Sequence, residues 1–274
     1  MKKNLLIIGQ KGFISINLIE YFKKKKLNFS SLSFNNFIAK SYLHNEKIDY
    51  IINCSSNNNY IKNKYQSQND YDLMIAKKIK NFKTKLVMLS TRKIYKPKFN
   101  IKESHKKEPD CNYSRNKLQS EILIKKILRN KFLILRISNI VGLPNNNKKK
   151  LHKTFSDIFF ETVKRGFMYK SKNVYKDFIS IKKFCEITHD LIKKNSYGVF
   201  NVSIGKKIYI HKITEWLNYH NYNKVKFINA KSTFNKESFT LNNDKMMKKI
   251  KIKNNINDLK KECISISRIF FNIK

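Results

Sequence analysis

Tyr113 and Lys117 are the two residues whose types and spacing best suit proton-transfer chemistry. They open an amphipathic segment over about residues 112–130. Residues four apart lie on one face of a helix, so we expect the Lys117 ammonium beside the Tyr113 phenol. A nearby cation favours phenolate and lowers a reference phenol pKa of ~10 towards the working range. The spacing therefore predicts that Tyr113 is a general acid/base. An ordinary surface pair is the alternative.

Two hydroxyl groups follow a strand-like segment upstream of this pair. Ser90 and Thr91 come directly after the apolar run 85–89. Ligands of open parallel sheets bind at the carboxyl ends of the strands. A hydroxyl at that edge can donate to a substrate carbonyl, or it can cap a turn. The sequence around these two residues leaves both roles open.

A glycine turn near the start of the chain predicts a phosphate site. The apolar run 4–8 ends at Gly9, Gly12 follows, and a helix-like pattern covers 12–25. Unpaired N–H groups and the helix dipole favour anions at such an N terminus. The chain has only 6 glycines in 274 residues, so two in one turn are informative. The third position of the motif is Ser15 rather than glycine, and an ordinary βα turn is the alternative.

Strand-like and helix-like segments alternate along the chain, which is typical of an α/β fold. We predict the following elements: strands at 28–34, 49–55 and 85–89; helices at 36–46, 70–82, 112–130, 182–194 and 208–220; and a loop at 57–69. The second strand ends in Ser33-Phe34-Asn35-Asn36 without the acid that commonly binds an adenosine ribose. This leaves the choice between NAD and NADP open.

The composition argues against nucleic acid as the partner, despite a net charge of +40. The charge is almost all lysine, scattered rather than grouped, and it accompanies abundant Asn, Ile, Phe and Tyr. We interpret it as a solvated surface. The four isolated cysteines suit a reducing cytoplasm, and the cysteine and histidine spacings predict no metal site. No stretch approaches the ~20 apolar residues of a membrane span, and the run after Lys2-Lys3 is too short for a signal peptide.

An ordered set of motifs resembles the extended branch of the short-chain dehydrogenase/reductase superfamily, which contains nucleotide-sugar epimerases, dehydratases and reductases. The resemblance covers roughly residues 3 to 220. It rests on the following segments: Gly9-x-x-Gly12; Asn53-Cys54-Ser55; Leu89 to Tyr95; Glu103 with Pro109; Tyr113-x-x-x-Lys117 with Glu121; Leu135 to Gly142; Lys176 to Ile181; and Gly198 to Gly205.

The resemblance implies a role for each matching residue. Thr91 falls on the family's catalytic Ser/Thr, which hydrogen-bonds the sugar oxygen. Tyr113 matches the acid/base, and Lys117 matches its partner, which also holds the nicotinamide ribose. The family transfers a hydride between a nicotinamide cofactor, NAD or NADP, and a sugar carbon.

The departures from the family pattern separate its subclasses. The 4,6-dehydratases carry an Asp-Glu pair directly after the Thr, whereas this chain has Arg92 and Lys93, which argues against dehydration. The short connection between the second and third strands resembles 4-ketoreductases of the dehydrorhamnose reductase kind. Lys176 replaces an Arg, which weakens phosphate pairing. The function expected is reduction of a 4-keto sugar nucleotide; a 4-epimerase of the family or a non-catalytic Rossmann-like dinucleotide- or polyanion-binding protein are the alternatives.

The resemblance also implies the architecture and the contacts. We expect a Rossmann-type doubly wound parallel sheet over 1–142, to which 176–204 returns, and a small C-terminal substrate lobe from 143–175 and 205–274. Helices 70–82 and 112–130 are candidates for a homodimer contact. The cofactor is expected to contact Gly9, Lys11, Gly12, Phe13, Ile14, Asn53, Cys54, Ser55, Tyr113 and Lys117. The nucleotide sugar is expected to contact Thr91, Arg92, Asn139 and Lys176.

Overall fold

The structure, a computed structural model, describes residues 3–39, 47–143, 153, 155–170, 174–223, 225–229, 238–252 and 255–272. The chain forms two compact units. The first comprises Met1–Lys96, His105–Ile137 and Cys185–Phe200; the second comprises Pro97–Ser104, Ser138–Phe184 and Asn201–Lys274. The Asn/Lys-rich segment 145–150 lies outside the described residues.

The described elements alternate in the order expected of an α/β protein. The strands are β1 (Leu5–Ile8), β2 (Phe29–Leu32), β3 (Tyr50–Asn53), β4 (Lys85–Thr91), β5 (Phe132–Ile137), β6 (Asn139–Val141), β7 (Phe167–Lys170), β8 (Tyr175–Lys176), β9 (Phe178–Ser180), β10 (Gly198–Val202), β11 (Ile208–Tyr209) and β12 (Lys226–Asn229). The helices are α1 (Phe13–Lys24), α2 (Phe34–Ala39), α3 (Asn58–Lys62), α4 (Tyr71–Ile79), α5 (Asn112–Leu128), α6 (Phe155–Arg165), α7 (Ile181–Lys193), α8 (Ile210–Leu217), α9 (Asp244–Lys249) and α10 (Ile256–Phe270).

A six-stranded sheet with the order β10-β5-β4-β3-β1-β2 provides the framework of the first unit. The pairs β1–β2, β1–β3, β3–β4 and β4–β5 are parallel. The direction of chain progression reverses between β1 and β3, and parallel sheets bind ligands at such a switch point. Gly9 follows β1 and Cys54 follows β3, so the predicted glycine turn lies there. The predicted α/β fold class, a Rossmann-type parallel sheet, is confirmed.

Apolar burial explains why these segments form central strands. All four residues of β1 and all four of β3 are buried, as in sheets that are covered on both faces. Side chains alternate between the faces of a strand, and Leu6 and Ile8 of β1 share one core cluster. That cluster also takes Ile75 and Ile79 from α4 and Ile124 from α5. The same packing therefore positions the two helices that carry the candidate site.

A separate core and a buried carboxylate organise the second unit. Phe159 of α6, Phe178 of β9 and Leu259 of α10 belong to its apolar cluster. Asp177 is fully buried, and its two oxygens accept from the backbone N–H groups of Gly205 at 3.1 Å and Leu241 at 2.9 Å. Burial raises the pKa of Asp177 to about 7, although these donors act in the opposite direction. Leu241, which lies beyond the region of the family resemblance, is thus joined to Asp177, the residue that follows β8.

Two sequence predictions of local structure are wrong. Residues 57–69 are not a loop, because they contain α3 and a 3-10 turn at Ser67–Asn69. Asn57 caps α3 by accepting a hydrogen bond from the Asn59 N–H at 2.8 Å. The sequence did not predict this helix, because a segment of little more than one turn is too short to show an apolar period. Strand β4 is also longer than predicted, since it includes both Ser90 and Thr91.

Replacement of Gly9 by alanine tests how tightly the first turn is packed. Gly9 has φ +93°, and a Cβ there would lie 2.9 Å from the backbone nitrogen of Ser55. Gly166 is the matched control, with φ +76° and nothing within 4 Å of its Cβ position. We expect Gly166→Ala to lower the free energy of unfolding by about 1–2 kcal/mol through backbone strain alone. Gly9→Ala should lose about 1–3 kcal/mol more through overpacking. Equal losses in urea denaturation would contradict this account.

Candidate active site

The first turn of α1 is arranged to receive an anion. Gly12 is the N-cap residue, and no side chain caps this end of the helix. The Ser15 hydroxyl donates to the Gly12 carbonyl oxygen at 2.9 Å, so it does not occupy the N–H groups. A Cβ on Gly12 would meet only Ser15 Oγ at 3.4 Å and Cys54 O at 3.6 Å, which are ordinary contacts. The protein therefore leaves the space over this glycine open.

The predicted cofactor contacts lie on both sides of the switch point. Lys11 is exposed in the turn, while Phe13 and Ile14 are partly buried in the first turn of α1. Cys54 follows β3, and its N–H donates to the Ile8 carbonyl oxygen at 2.8 Å. Burial, and secondarily Asp72, raise the pKa of the Cys54 thiol, so this residue presents a neutral thiol.

A chain of hydrogen bonds runs from the end of β3 to Lys117. The Asn53 oxygen accepts from the Ser55 N–H at 3.0 Å and from the Ser55 hydroxyl at 2.6 Å. The Asn53 amide donates to one oxygen of Asp72 at 2.7 Å. The other oxygen of Asp72 accepts from Lys117 Nζ at 2.8 Å. Asn53, Ser55 and Lys117, all predicted to contact the cofactor, are thus connected through Asp72. The sequence did not predict a role for Asp72.

Lys117 is a buried cation held by that carboxylate. Burial by itself would lower the pKa of Lys117, but Asp72, Tyr60 and Tyr113 raise it, and the net direction is upward. The ammonium also lies 5.5 Å from the centroid of the Tyr60 ring, a cation–π distance. Lys117 therefore stays charged through the neutral range.

Tyr113 lies near Thr91, whose side chain lowers the Tyr113 pKa. The predicted net lowering of the Tyr113 pKa is wrong. Burial is the largest effect and raises the pKa; Lys117 lowers it as expected, and Asp72 raises it again. The sequence predicts the neighbouring cation but not the loss of water around the phenol. Tyr113 is consequently a protonated phenol at neutral pH.

Ser90, the other candidate hydroxyl, belongs to a buried structural cluster. Its Oγ donates to Glu121 Oε1 at 2.6 Å. Arg136 Nε donates to the same oxygen at 3.0 Å, and another guanidinium nitrogen donates to Glu121 Oε2. The guanidinium also donates to the Tyr95 hydroxyl. The Ser90 hydroxyl thus donates its hydrogen bond to another buried side chain of the protein. Thr91 is the N-cap residue of a 3-10 turn, and its hydroxyl accepts from the Lys93 N–H at 3.2 Å.

The predicted substrate residues are divided between the two units. Thr91 and Arg92 belong to the first; Asn139 and Lys176 belong to the second. Asn139 begins β6, and its amide donates to the Asp177 carbonyl oxygen at 3.1 Å. Lys176 lies in β8, in antiparallel register with Ile208 of β11.

Asp72, which contacts Lys117, was not predicted from the sequence. The chain has only 19 acidic residues against 59 basic ones, and two of these acids stand together in Asp70-Tyr71-Asp72 at the start of a predicted helix. Two acids so close together in a chain with few acids were a usable signal. The pairing of Asp72 with Lys117 could not be predicted in this way, because the two residues are 45 positions apart in the sequence.

Among the described residues, no group of three or more His, Cys, Asp or Glu side chains could hold a metal ion. Across the same ranges, no helix combines the length and the apolar composition needed to cross a bilayer.

Arg136→Met tests the buried cluster. Methionine keeps most of the side-chain length but leaves the fully buried Glu121 carboxylate without its bidentate partner. We expect the free energy of unfolding to fall by about 3–5 kcal/mol, measured by urea denaturation. The double variant Arg136→Met/Glu121→Gln removes the uncompensated charge and should recover part of the loss. A loss below about 1 kcal/mol in the single variant would show that Arg136 is not the main partner of Glu121.

Comparisons with known proteins agree with this fold. A family model described as "RmlD substrate binding domain" matches residues 2–162. A sequence comparison with curated proteins gives no significant match.

Several solved structures share the whole fold at low sequence identity. A UDP-N-acetylglucosamine 4-epimerase from Methanobrevibacter ruminantium M1 has a TM-score of 0.77 at 19% identity, covering 100% of both chains. A dTDP-4-dehydrorhamnose reductase from Clostridium acetobutylicum ATCC 824 has a TM-score of 0.73 at 15% identity, covering 98% of this chain and 99% of that one. RMD from Pseudomonas aeruginosa, complexed with NADPH, has a TM-score of 0.77 at 14% identity, covering 98% and 100%.

Proposed function

Because the chain belongs to the RmlD substrate binding domain family, we propose that it is an NAD(P)-dependent reductase of a 4-keto sugar nucleotide. The observation that carries this proposal is the grouping of Thr91, Tyr113 and Lys117. Both Thr91 and Lys117 lie close enough to Tyr113 to lower its pKa, against the larger effect of burial. A protein that only binds dinucleotides has no need of all three side chains.

Each side chain has a distinct task in this proposal. A bound reduced nicotinamide supplies the hydride to the carbonyl carbon. Tyr113 donates its phenolic proton to the carbonyl oxygen. Because the pKa of Tyr113 is raised, the phenol is protonated at neutral pH before the reaction. The Thr91 hydroxyl lies beside the phenol and orients the same oxygen. Lys117, charged throughout, stabilises the phenolate that remains.

The first turn fits the pyrophosphate of a dinucleotide. The uncapped N terminus of α1 and the open space over Gly12 provide N–H donors and close access. At the end of β2, the Ser33 hydroxyl accepts from the Asn36 N–H at 3.2 Å, and Gln10 donates to the Ser31 carbonyl oxygen at 2.9 Å. The described residues at this strand end include no acid, so we propose NAD or NADP without choosing between them.

The residues after Thr91 favour reduction over dehydration. Arg92 and Lys93 stand where elimination of water would need a second acid and base. Arg92 is partly buried and Lys93 is exposed. We propose that Arg92 contacts the sugar nucleotide together with Thr91.

Tyr113→Phe tests the chemistry, because it keeps the ring and removes only the transferable proton. Turnover of a 4-keto sugar nucleotide should fall by about 10²–10⁴-fold, with little change in cofactor affinity. Wild-type reduction should hold through neutral pH and decline only as the pH rises past the raised Tyr113 pKa, above the ordinary value of 10.0. The control is Tyr197→Phe, which changes a tyrosine that is 64% exposed. Undiminished turnover in Tyr113→Phe would refute the assignment.

Gly12→Ala separates cofactor binding from folding. The backbone of Gly12, with φ −79° and ψ 156°, is one that alanine adopts freely. We expect the free energy of unfolding to change by less than about 1 kcal/mol. The added methyl group should keep a pyrophosphate from the N–H groups and weaken NAD(P)H binding by about tenfold or more in calorimetric titration. Unchanged affinity would place the cofactor elsewhere.

A further inference from the structure

Asp72 is the carboxylate in contact with the proposed catalytic lysine. Its Oδ2 lies 2.8 Å from Lys117 Nζ, and the two side chains are only 4% and 7% exposed. Asp72 belongs to the first turn of α4, whereas Lys117 belongs to α5. The salt bridge therefore ties the position of the ammonium to a second helix.

Both oxygens of Asp72 accept hydrogen bonds from groups that can only donate there. Lys117 Nζ has no acceptor, and the Asn53 Nδ2 faces Oδ1 at 2.7 Å. Asn53 cannot turn its amide round without loss, because its own oxygen already accepts from the N–H and the hydroxyl of Ser55. The position thus requires a carboxylate, since an asparagine would present an NH₂ group to one of the two donors.

We propose that Asp72 is a positioning residue for the Tyr113–Lys117 pair. Its carboxylate holds the ammonium in place and offsets its charge, so that Tyr113 remains a phenol and is ready to donate a proton to a carbonyl oxygen. The proposal rests on the proposed function for the reaction that uses this proton. The contacts themselves do not depend on it.

The charges around Tyr113 support this role. Lys117 favours the phenolate, while Asp72 and, more weakly, Cys111 oppose it. Tyr60 also faces Lys117, from α3, and burial raises the Tyr60 pKa. Among the acids, Asp72 is therefore the one that counters the effect of Lys117 on the phenol.

The N-cap residue of α4 is a second buried acid, and it has different partners. Asp70 accepts from the Ser120 hydroxyl at 2.6 Å, from the Tyr65 hydroxyl at 2.9 Å and from the Leu73 N–H at 3.0 Å. Asp70 raises the pKa of Tyr60, whereas the acids that raise the pKa of Tyr113 are Asp72 and Cys111. Asp70 is thus a matched control: a buried carboxylate of the same helix end that does not face the catalytic pair.

In the proposed step the O–H bond of Tyr113 breaks, its proton forms the new hydroxyl of the sugar, and the electron pair stays on Tyr113 as a phenolate. The hydride that reduces the carbonyl carbon comes from the reduced nicotinamide. The phenolate is then reprotonated from water, and Asp72 favours that return to the phenol.

The test is a direct titration of Tyr113 in the full-length protein. The phenolate absorbance near 295 nm is recorded against pH for each variant with and without Tyr113→Phe, and the difference isolates Tyr113. In Asp72→Asn we expect the ionisation of Tyr113 to move down by about one to two pH units. In Asp70→Asn it should stay where it is in the wild type.

A charge-swapped variant provides a second test in case Asp72→Asn does not fold. In Asn53→Asp/Asp72→Asn the carboxylate moves to position 53, where it still accepts from Ser55, and the amide at position 72 lies between an acceptor and Lys117. Net charge and hydrogen bonds are retained, but the negative charge is farther from the ammonium. The Tyr113 titration should again move down, by less than in the single variant. An unchanged titration in Asp72→Asn, or in the swapped variant if the single one does not fold, would overturn the proposal.

A kinetic measurement ties the role to the reaction. The alkaline limb of the kcat/KM profile for ketone reduction should move down with the Tyr113 titration in Asp72→Asn and stay in place in Asp70→Asn. A shifted titration with an unshifted kinetic limb would overturn the positioning role in the reaction. A shifted titration in a protein that turns over no sugar nucleotide would support the action of Asp72 on Tyr113 and count against the proposed function alone.

Discussion

The buried carboxylate of Glu121 is the interaction on which the candidate site depends. It joins three elements, because it belongs to α5, accepts from Ser90 of β4 and pairs with Arg136 of β5. Helix α5 also carries Tyr113 and Lys117. The cluster therefore fixes the height and rotation of the helix against the carboxyl end of β4, where Thr91 lies. A shift of α5 would separate the phenol from the threonine hydroxyl.

Tyr113, Lys117 and Glu121 follow one another at intervals of four residues, so they share one face of α5. Each charged member has its own buried partner of opposite sign, Asp72 for Lys117 and Arg136 for Glu121. Buried ion pairs add little net stability, because the cost of desolvation offsets most of the attraction. We infer that these two pairs are retained for the geometry they impose. One holds the helix, and the other holds the ammonium.

The turn between β1 and α1 contains two glycines whose surroundings differ. At Gly9 the protein itself excludes a Cβ, since the backbone of Ser55 lies too close. At Gly12 the protein leaves room for one, so the fold itself does not require glycine there. Packing within the protein thus requires the first glycine of the motif but not the second.

The amino-acid sequence was sufficient to predict features that depend on local spacing. Apolar runs and the helical period predicted the alternating strands and helices and the shared face of Tyr113 and Lys117. The glycine turn was predicted from two glycines between a strand-like run and a helix-like pattern. The sequence did not predict α3, which is too short to show an apolar period, or the individual elements after residue 221. Only the tertiary structure revealed Asp72 beside Lys117, since that contact joins residues 45 positions apart. Only the tertiary structure decided the direction of the Tyr113 pKa, because the loss of water around the phenol depends on burial, which the neighbouring residues along the chain do not specify.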